Sequence, residues 1–600
     1  MELNSLDHCR SRALKALRAK RHADGYWEGR LATSPLATAV ALAALAHEPT
    51  APIDRSAAAE YLRRTQHPDG GWGDTDRSKS NLAATLLVLS ADALQSERFR
   101  ARDASSSTRQ GPSGMLPEEA RERAERFVES LGGLRHGLAR IYGRDLTFQV
   151  PIRMAAASAG LLDWREVDPL PFELTLVPRS VMGAIGLPVV SYALPALVCV
   201  GLSRHAQAPS GWPHARALRA WSAARALKLT ASMQPKSGGF LEAIPITAFC
   251  LLGLHAAGRS EHQVARNATR FLAATQRADG GWPVEVHLAT WNTTRAIDAL
   301  HGAGLLEEAL DASERVKTRD WLLACQKKSP HPYTGTAPGG WGWNALDGAV
   351  PDADDTAGAL LALRALGVPA QAPQLQAGLR WLLTLQNRDG GIPTFCRGWQ
   401  RLPFDQSAPD LTAHALRAMQ ALETAEHPAY AKAWRCLERV QRPDGSFAPL
   451  WFGCEAASDE LNATYGTAQV LLACAHEKAP MPLRDRALAW LRSIQHEDGA
   501  FGGTSGAPGS AEETGLALRA MAAHQDGRAD PACSRAARWL IEHQREDGSW
   551  DPSPIGFYFA VLWYYEELYP LCFALGGLGT NKAGGLASAR QPEMIASNGQ

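Results

Sequence analysis

An all-α architecture of two α/α barrels follows from three features of this 600-residue sequence. One phrase recurs along most of the chain: an apolar-spaced helix, then Gln, a polar Asp-Gly turn and an aromatic residue. Between its copies lie apolar runs such as NLAATLLVLSADAL, ITAFCLLGLHAAG and DTAGALLALRALG. Almost no run alternates apolar with polar residues, so strands are expected to be few. Each unit supplies two helices, and helix pairs in this number close into rings.

The first copy is degenerate, LRAKRHADGYW ending at Trp27. Clear copies follow at Gln66 to Trp72, Gln234 to Phe240 and Gln276 to Trp282, whereas Gln326 reaches Trp341 only after a proline-rich insertion. Gln386 to Ile392, Gln441 to Phe447, Gln495 to Phe501 and Gln544 to Trp550 complete the series. From Gln276 onward the glutamines stand roughly 40–60 residues apart, a repeat period. In each unit the Asp-Gly turn ends the first helix, with Gly in the left-handed conformation. The Gln amide is then placed to bond backbone groups left open at neighbouring helix ends, with the ring stacked nearby. Ser96 to Ala120, rich in Ser, Arg, Gly and Pro, breaks the pattern and is expected to be a surface loop. Repeats thin out from Leu134 to Thr230, where Pro169, Pro171, Pro178, Pro188 and Pro195 punctuate short helices. The expected division is an irregular amino-terminal helical barrel over 1–255, a carboxy-terminal barrel over 256–580, and a frayed tail over 581–600.

Lys plus Arg and Asp plus Glu both number 62, so no electrostatic footprint for nucleic acid is present. The ten cysteines are scattered with no C-x-x-C pair and fit buried free thiols in a reducing compartment. The amino terminus is polar and does not read as a signal peptide. The longest apolar run, Leu187 to Leu202, is broken by Pro188 and Pro195 and is too short to span a bilayer.

The chemistry-bearing stretch is GGWGWNALDGAVPDADDTAGALLALRAL, Gly339 to Leu366. Asp352, Asp354 and Asp355 put three carboxylates in four residues behind Pro351 and ahead of an apolar helix. Pro and Asp before an apolar run also spell a capped helix start. Three like charges this close cannot all ionise in a sheltered site, so at least one pKa is expected to rise and leave a neutral acid at pH 7. A second stretch, LPFDQSAPDLTAHALRAM, starts another helix at Pro409-Asp410 and places Asp410 and His414 on one face at i, i+4. Protonated, His414 would bond one Asp oxygen and strengthen the remaining O–H.

The Gln-to-Trp repeats, PDADDTA at 351–357 and PDLTAH at 409–414 together resemble the squalene–hopene cyclase family, the class II triterpene cyclases. That resemblance implies that Asp354 protonates a terminal alkene, that Asp352 and Asp355 carry charge around it, and that His414 activates it, with Asp410 supporting. It also implies aromatic faces that stabilise the carbocation at Trp291, Trp343, Phe395 and Trp451, a hydrogen bond near the acid from Tyr465, and a wall containing Tyr558 and Tyr565. Asn292 stands where the family usually has Asp, Leu562 occupies an expected Tyr position, and the docking region around Ser203 to Arg225 is shortened.

The sequence holds no D-D-x-x-D, no phosphate-cradling glycine loop and no Cys/His zinc spacing, so neither a metal nor another cofactor is expected. The expected activity is an isomerase: proton-initiated cyclisation of a linear isoprenoid, squalene first, to a hopene-like polycycle. The alternatives are a shorter polyprenoid or a prenyl diphosphate, a carbohydrate-active barrel with paired carboxylates, or a non-catalytic binding barrel. A substrate this apolar implies peripheral, monotopic attachment on the cytoplasmic side of a membrane. The oligomeric state is left open, a homodimer included.

Overall fold

The computed structural model describes residues 3–103, 114–143, 146–177, 181, 190–524, 530–557 and 561–580. It is built almost wholly of helices, in two rings. Helix α1 (Leu3–Ala19) precedes the first ring. That ring comprises α2 (Pro35–Leu45), α3 (Leu82–Asp103), α4 (Leu146–Ser158), α5 (Val190–Gln207) and, after α6 (Pro213–Met233), α7 (Ile244–Ala256). Each packs on the next, and α7 returns to α2. Outside it lies α8 (Gln263–Ala274). The second ring runs α9 (Ala289–Gly302), α10 (Ala353–Ala365), α11 (Pro409–Ala421), α12 (Ala463–Ala473), α13 (Ala511–Ala522) and α14 (Leu568–Thr580), and α14 closes back on α9.

Inner and outer helices differ for a physical reason. An inner helix touches a neighbour on each side and an outer helix behind, so it needs small or apolar residues all round. Every residue of α2, and every residue of α13 except Arg519, is buried. Outer helices such as Pro428–Val440 bury one face only, Ala429, Tyr430, Ala433, Trp434, Cys436 and Leu437.

The repeated glutamine ties the units together. The Gln386 amide donates to Gly390 O at 2.9 Å in its own turn and to Ala429 O at 2.8 Å in the next outer helix. Gln66, Gln234, Gln276, Gln326, Gln441, Gln495 and Gln544 repeat the pattern. The aromatic residue that follows fastens outer helix to inner: Trp282 donates its backbone N–H to Thr38 Oγ1 and its indole N–H to Leu272 O.

These ties show that the two rings exchange segments. Gln544 bonds Cys9 O in α1, and Trp27 N bonds Thr293 in α9, so the amino-terminal helix completes the second ring. Conversely α8 packs on α7, Gln276 bonds Asp54 O, and β1 (Thr33–Ser34) pairs with β2 (Trp282–Pro283). The expected cut at residue 255 would separate α7 from α8. The helix contacts instead join 263–284 to the first ring and 3–27 to the second. The expected loop at 96–120 is also shorter: α3 continues to Asp103, a further helix starts at Glu118, and 104–113 lie outside the described residues, as does the expected tail. All ten cysteines are free.

Candidate active site

The amino ends of α9, α10 and α11 converge on a cavity of about 530 Å³, within the usual range for a ligand site. Both rings line it: Leu36, Ile152 and Phe249 from the first, Trp291, Phe395 and Trp451 from the second. Its described lining includes no Lys or Arg; its ionisable groups are Asp352, Asp354, Asp355, Glu285 and tyrosines.

Asp352 is the N-cap of α10, and its Oδ1 accepts from the backbone N–H of Asp354 and Asp355 at 2.9 and 2.8 Å. This fixes the two following carboxyls in the first helical turn, where the positive helix end favours the carboxylate form. Asp354 lines the cavity with its side chain 16% exposed, whereas Asp355 is buried. Burial raises Asp352 to about 7 and pushes Asp355 well above the usual carboxylate range, with the Asp352 charge adding to the effect on Asp355. Asp352 and Asp355 hydrogen-bond each other, so the pair shares a proton between its carboxyls. Asp410, in the first turn of α11, is buried and raised to about 7, first by burial and then by the Asp354 charge.

His414 Nδ1 lies 2.5 Å from Asp354 Oδ1. Its other nitrogen, Nε2, lies 2.9 Å from the Arg295 guanidinium. Guanidinium only donates, so Nε2 accepts, Nδ1 carries the hydrogen, and the imidazole donates that hydrogen to Asp354. Burial, followed by the Arg295 charge, holds His414 down at about 4. The expected imidazolium is therefore replaced by a neutral imidazole, and the cation in the group is Arg295.

Sequence reasoning passed over Arg295. It is 4% exposed, and its guanidinium sits 4.2 Å from the Trp291 ring centroid, one helical turn back in α9. The available signal was an arginine at i+4 from a tryptophan in ATWNTTRAIDAL, a helix otherwise suited to burial.

Trp291, Trp343, Phe395 and Trp451 all line the cavity. Phe395 meets Trp451 edge-on at 5.6 Å and Trp343 edge-on at 6.4 Å, while Trp291 stacks on Phe452 at 6.0 Å. Tyr465 is buried behind Phe452, 4.6 Å between centroids, with Asp354 and Arg295 among the charges it feels. Tyr558 lies outside the described residues. Tyr565 faces away from the cavity: its hydroxyl donates to Asp76 at 2.9 Å and its ring lies 5.5 Å from the Arg77 guanidinium. Strand alternation is the reason. In β4 (Leu562–Tyr564), paired with β3 (Ile555–Phe557), Leu562 and Tyr564 face the cavity and Trp563 and Tyr565 turn outward. Phe404, Phe452, Phe557, Tyr564 and Tyr569 are cavity aromatics that sequence reasoning did not select. Asn292 does not reach the acid; its amide donates to Glu28 O.

Residues 287–582 match the family described as "Squalene-hopene cyclase C-terminal domain" and residues 11–91 match "Squalene-hopene cyclase N-terminal domain". The chain is 26% identical to a probable squalene–hopene cyclase of Sinorhizobium fredii, across 93% of this chain and 94% of that protein. It is also 26% identical to a squalene–hopene cyclase of Bradyrhizobium diazoefficiens, across 92% and 91%. A drimenyl diphosphate synthase of Streptomyces showdoensis is 28% identical over 48% of this chain and 49% of its own length. Among solved structures, ent-copalyl diphosphate synthase from Streptomyces platensis shares the fold at a TM-score of 0.59 and 18% identity, covering 96% of this chain and 99% of that one. Fold, repeats and sequence agree: this chain is a class II terpene cyclase belonging to the squalene–hopene cyclase family.

Proposed function

We propose that the chain cyclises a neutral linear isoprenoid, squalene, to a hopene-like polycycle. Asp354 is the acid. His414 holds Oδ1, leaving the proton on Oδ2, and that proton passes to a terminal alkene carbon. The π electrons form the new C–H bond and leave a tertiary cation, which successive double bonds capture in ring closures. Loss of a proton or capture by water ends the cascade. A bare alkene is a very weak base, so the acid must be strong yet protonated. The apolar cavity keeps water from the acid, while the His414 N–H, backed by Arg295, stabilises the carboxylate once the proton has left. The aromatic walls attract the migrating cation without adding to it, each by roughly 0.5–2 kcal/mol.

The observation that carries the choice of a hydrocarbon is the described lining, which has no cationic side chain to hold a diphosphate. Incubation with squalene and no added metal, followed by mass spectrometry, is expected to give an isomer of unchanged mass. Asp354→Asn is expected to lower turnover by about 10²–10⁴-fold with the melting curve retained. Turnover confined to a prenyl diphosphate would overturn the squalene assignment.

We further propose peripheral attachment to a membrane. Trp212, Leu218 and Trp221, at the start and along the first half of α6, are 77%, 44% and 70% exposed, and Leu146, Leu161 and Leu174, earlier in the chain, are also exposed. Helix α6 carries Arg216, Arg219, Arg225 and Lys228 and no acidic residue. Apolar rings beside basic residues suit an anionic leaflet, and no described helix is long and apolar enough to cross one. Trp212→Ala with Trp221→Ala is expected to shift the protein from the floating to the free fraction in flotation with anionic vesicles; unchanged flotation would refute this surface.

A further inference from the structure

The second ring has another cavity, of about 370 Å³, at the carboxyl ends of its inner helices, across the lumen from the substrate cavity. Asp298 and His301 of α9, Arg364 of α10, Arg417 of α11 and Arg519 of α13 line it. His414 and Arg295, one turn higher in α11 and α9, separate the two cavities.

Its charges do not balance. Arg417 and Arg519, with side chains 12% and 11% exposed, share one carboxylate: Arg417 Nη2 lies 2.6 Å from Asp298 Oδ1 and Arg519 Nη1 lies 2.7 Å from Oδ2. Arg417 Nη1 is buried with no hydrogen-bond partner. Arg364, 29% exposed, donates Nε to Ala421 O at 3.0 Å and Nη1 to Val368 O at 2.8 Å, and its nearest carboxylate is Glu423 at 3.9 Å, itself 77% exposed. The carbonyl ends of the inner helices offset part of this charge. They do not supply a counter-ion, and a desolvated excess of guanidinium calls for one.

We propose that this arginine pocket is a binding site for a phosphate-type oxyanion, held by Arg417, Arg519 and Arg364. Several planar guanidinium donors around a cavity of this size suit tetrahedral oxygen atoms taken two at a time. The ligand is either free phosphate or diphosphate, or the headgroup of a prenyl diphosphate. The site is separate from the cyclisation cavity and does not depend on which isoprenoid is cyclised.

The test is calorimetric titration and thermal melting of the full chain with inorganic phosphate, inorganic diphosphate and a prenyl diphosphate, with chloride at matched ionic strength as the reference. Saturable binding and a rise in Tm are expected with the inorganic anions. Arg364→Gln, at the pocket mouth, is expected to weaken them about tenfold. Arg417→Lys keeps the charge beside Asp298, so the melting curve is expected to be retained, and it is expected to weaken binding because the fork is lost. Competition between prenyl diphosphate and inorganic diphosphate would assign the headgroup as the source; no competition would assign the free anion. A response no larger than chloride gives, or one equal in wild type and Arg364→Gln, would overturn the site.

Discussion

Arg295 sets the character of Asp354, the proposed acid. It donates to His414 Nε2, and through that ring it fixes which nitrogen faces Asp354. Arg295→Gln keeps a donor near Nε2 and removes the charge. His414 then loses one of the three causes that hold it at about 4, so its pKa is expected to rise, a change readable by NMR titration of the imidazole. The carboxylate left after proton transfer loses support comparable to a charged hydrogen bond, roughly 1.5–3 kcal/mol, so turnover should fall about 10- to 100-fold. A variant with wild-type turnover and an unmoved His414 titration would rule out this relay. Asp352, Asp354 and Asp355 were legible because three acids crowd four residues. Arg295 was not, because it reaches the acid from a different helix, 119 residues from His414.

At the scale of elements, the glutamine ties explain how exposed outer helices hold buried inner ones in register. Gly390, in one such turn, has φ +91°, and a Cβ there would lie 2.3 Å from Lys432 O, so the turn both requires glycine and sits against the next outer helix. Gln386→Ala leaves Gly390 O and Ala429 O without their donor and is expected to cost ~1–3 kcal/mol, measurable as a lower denaturation midpoint with the fold kept. The repeat and its turn could be read directly, since both are local. The β4 strand could not, because its residues sit in an aromatic run with no polar alternation. Selecting Tyr565 rather than Tyr564 is the one-residue register error that strand geometry turns into the opposite face.

The whole molecule stores an unusual amount of buried acid. Burial raises Asp352, Asp410, Glu455 and Glu566 to about 7, and Glu512 to about 8. Each binds a proton in the folded state that the unfolded chain has already released above about 4. Their contribution to stability is therefore full below that pH and is lost as pH rises through 7 to 8. His255, His331 and His414, lowered to about 4, act in the opposite sense between about 4 and 6.5, but they are fewer. Tm is accordingly expected to fall from pH 5 to pH 8 in melts at constant ionic strength; a rise over that range would contradict the protonation states assigned here.

By itself the sequence determined the helical repeat, the all-α class, the acidic motif and its histidine, because each is written within one turn or one helix. Tertiary structure alone decided which helices complete which ring, which face of β4 meets the cavity, and that the positive charge behind the acid belongs to arginine. Those outcomes depend on groups hundreds of residues apart, such as Gln544 and Cys9, or on helices meeting in the lumen, and no local pattern encodes such a meeting. Burial then completes the chemistry: only when the rings close do the carboxyls lose water and keep their protons.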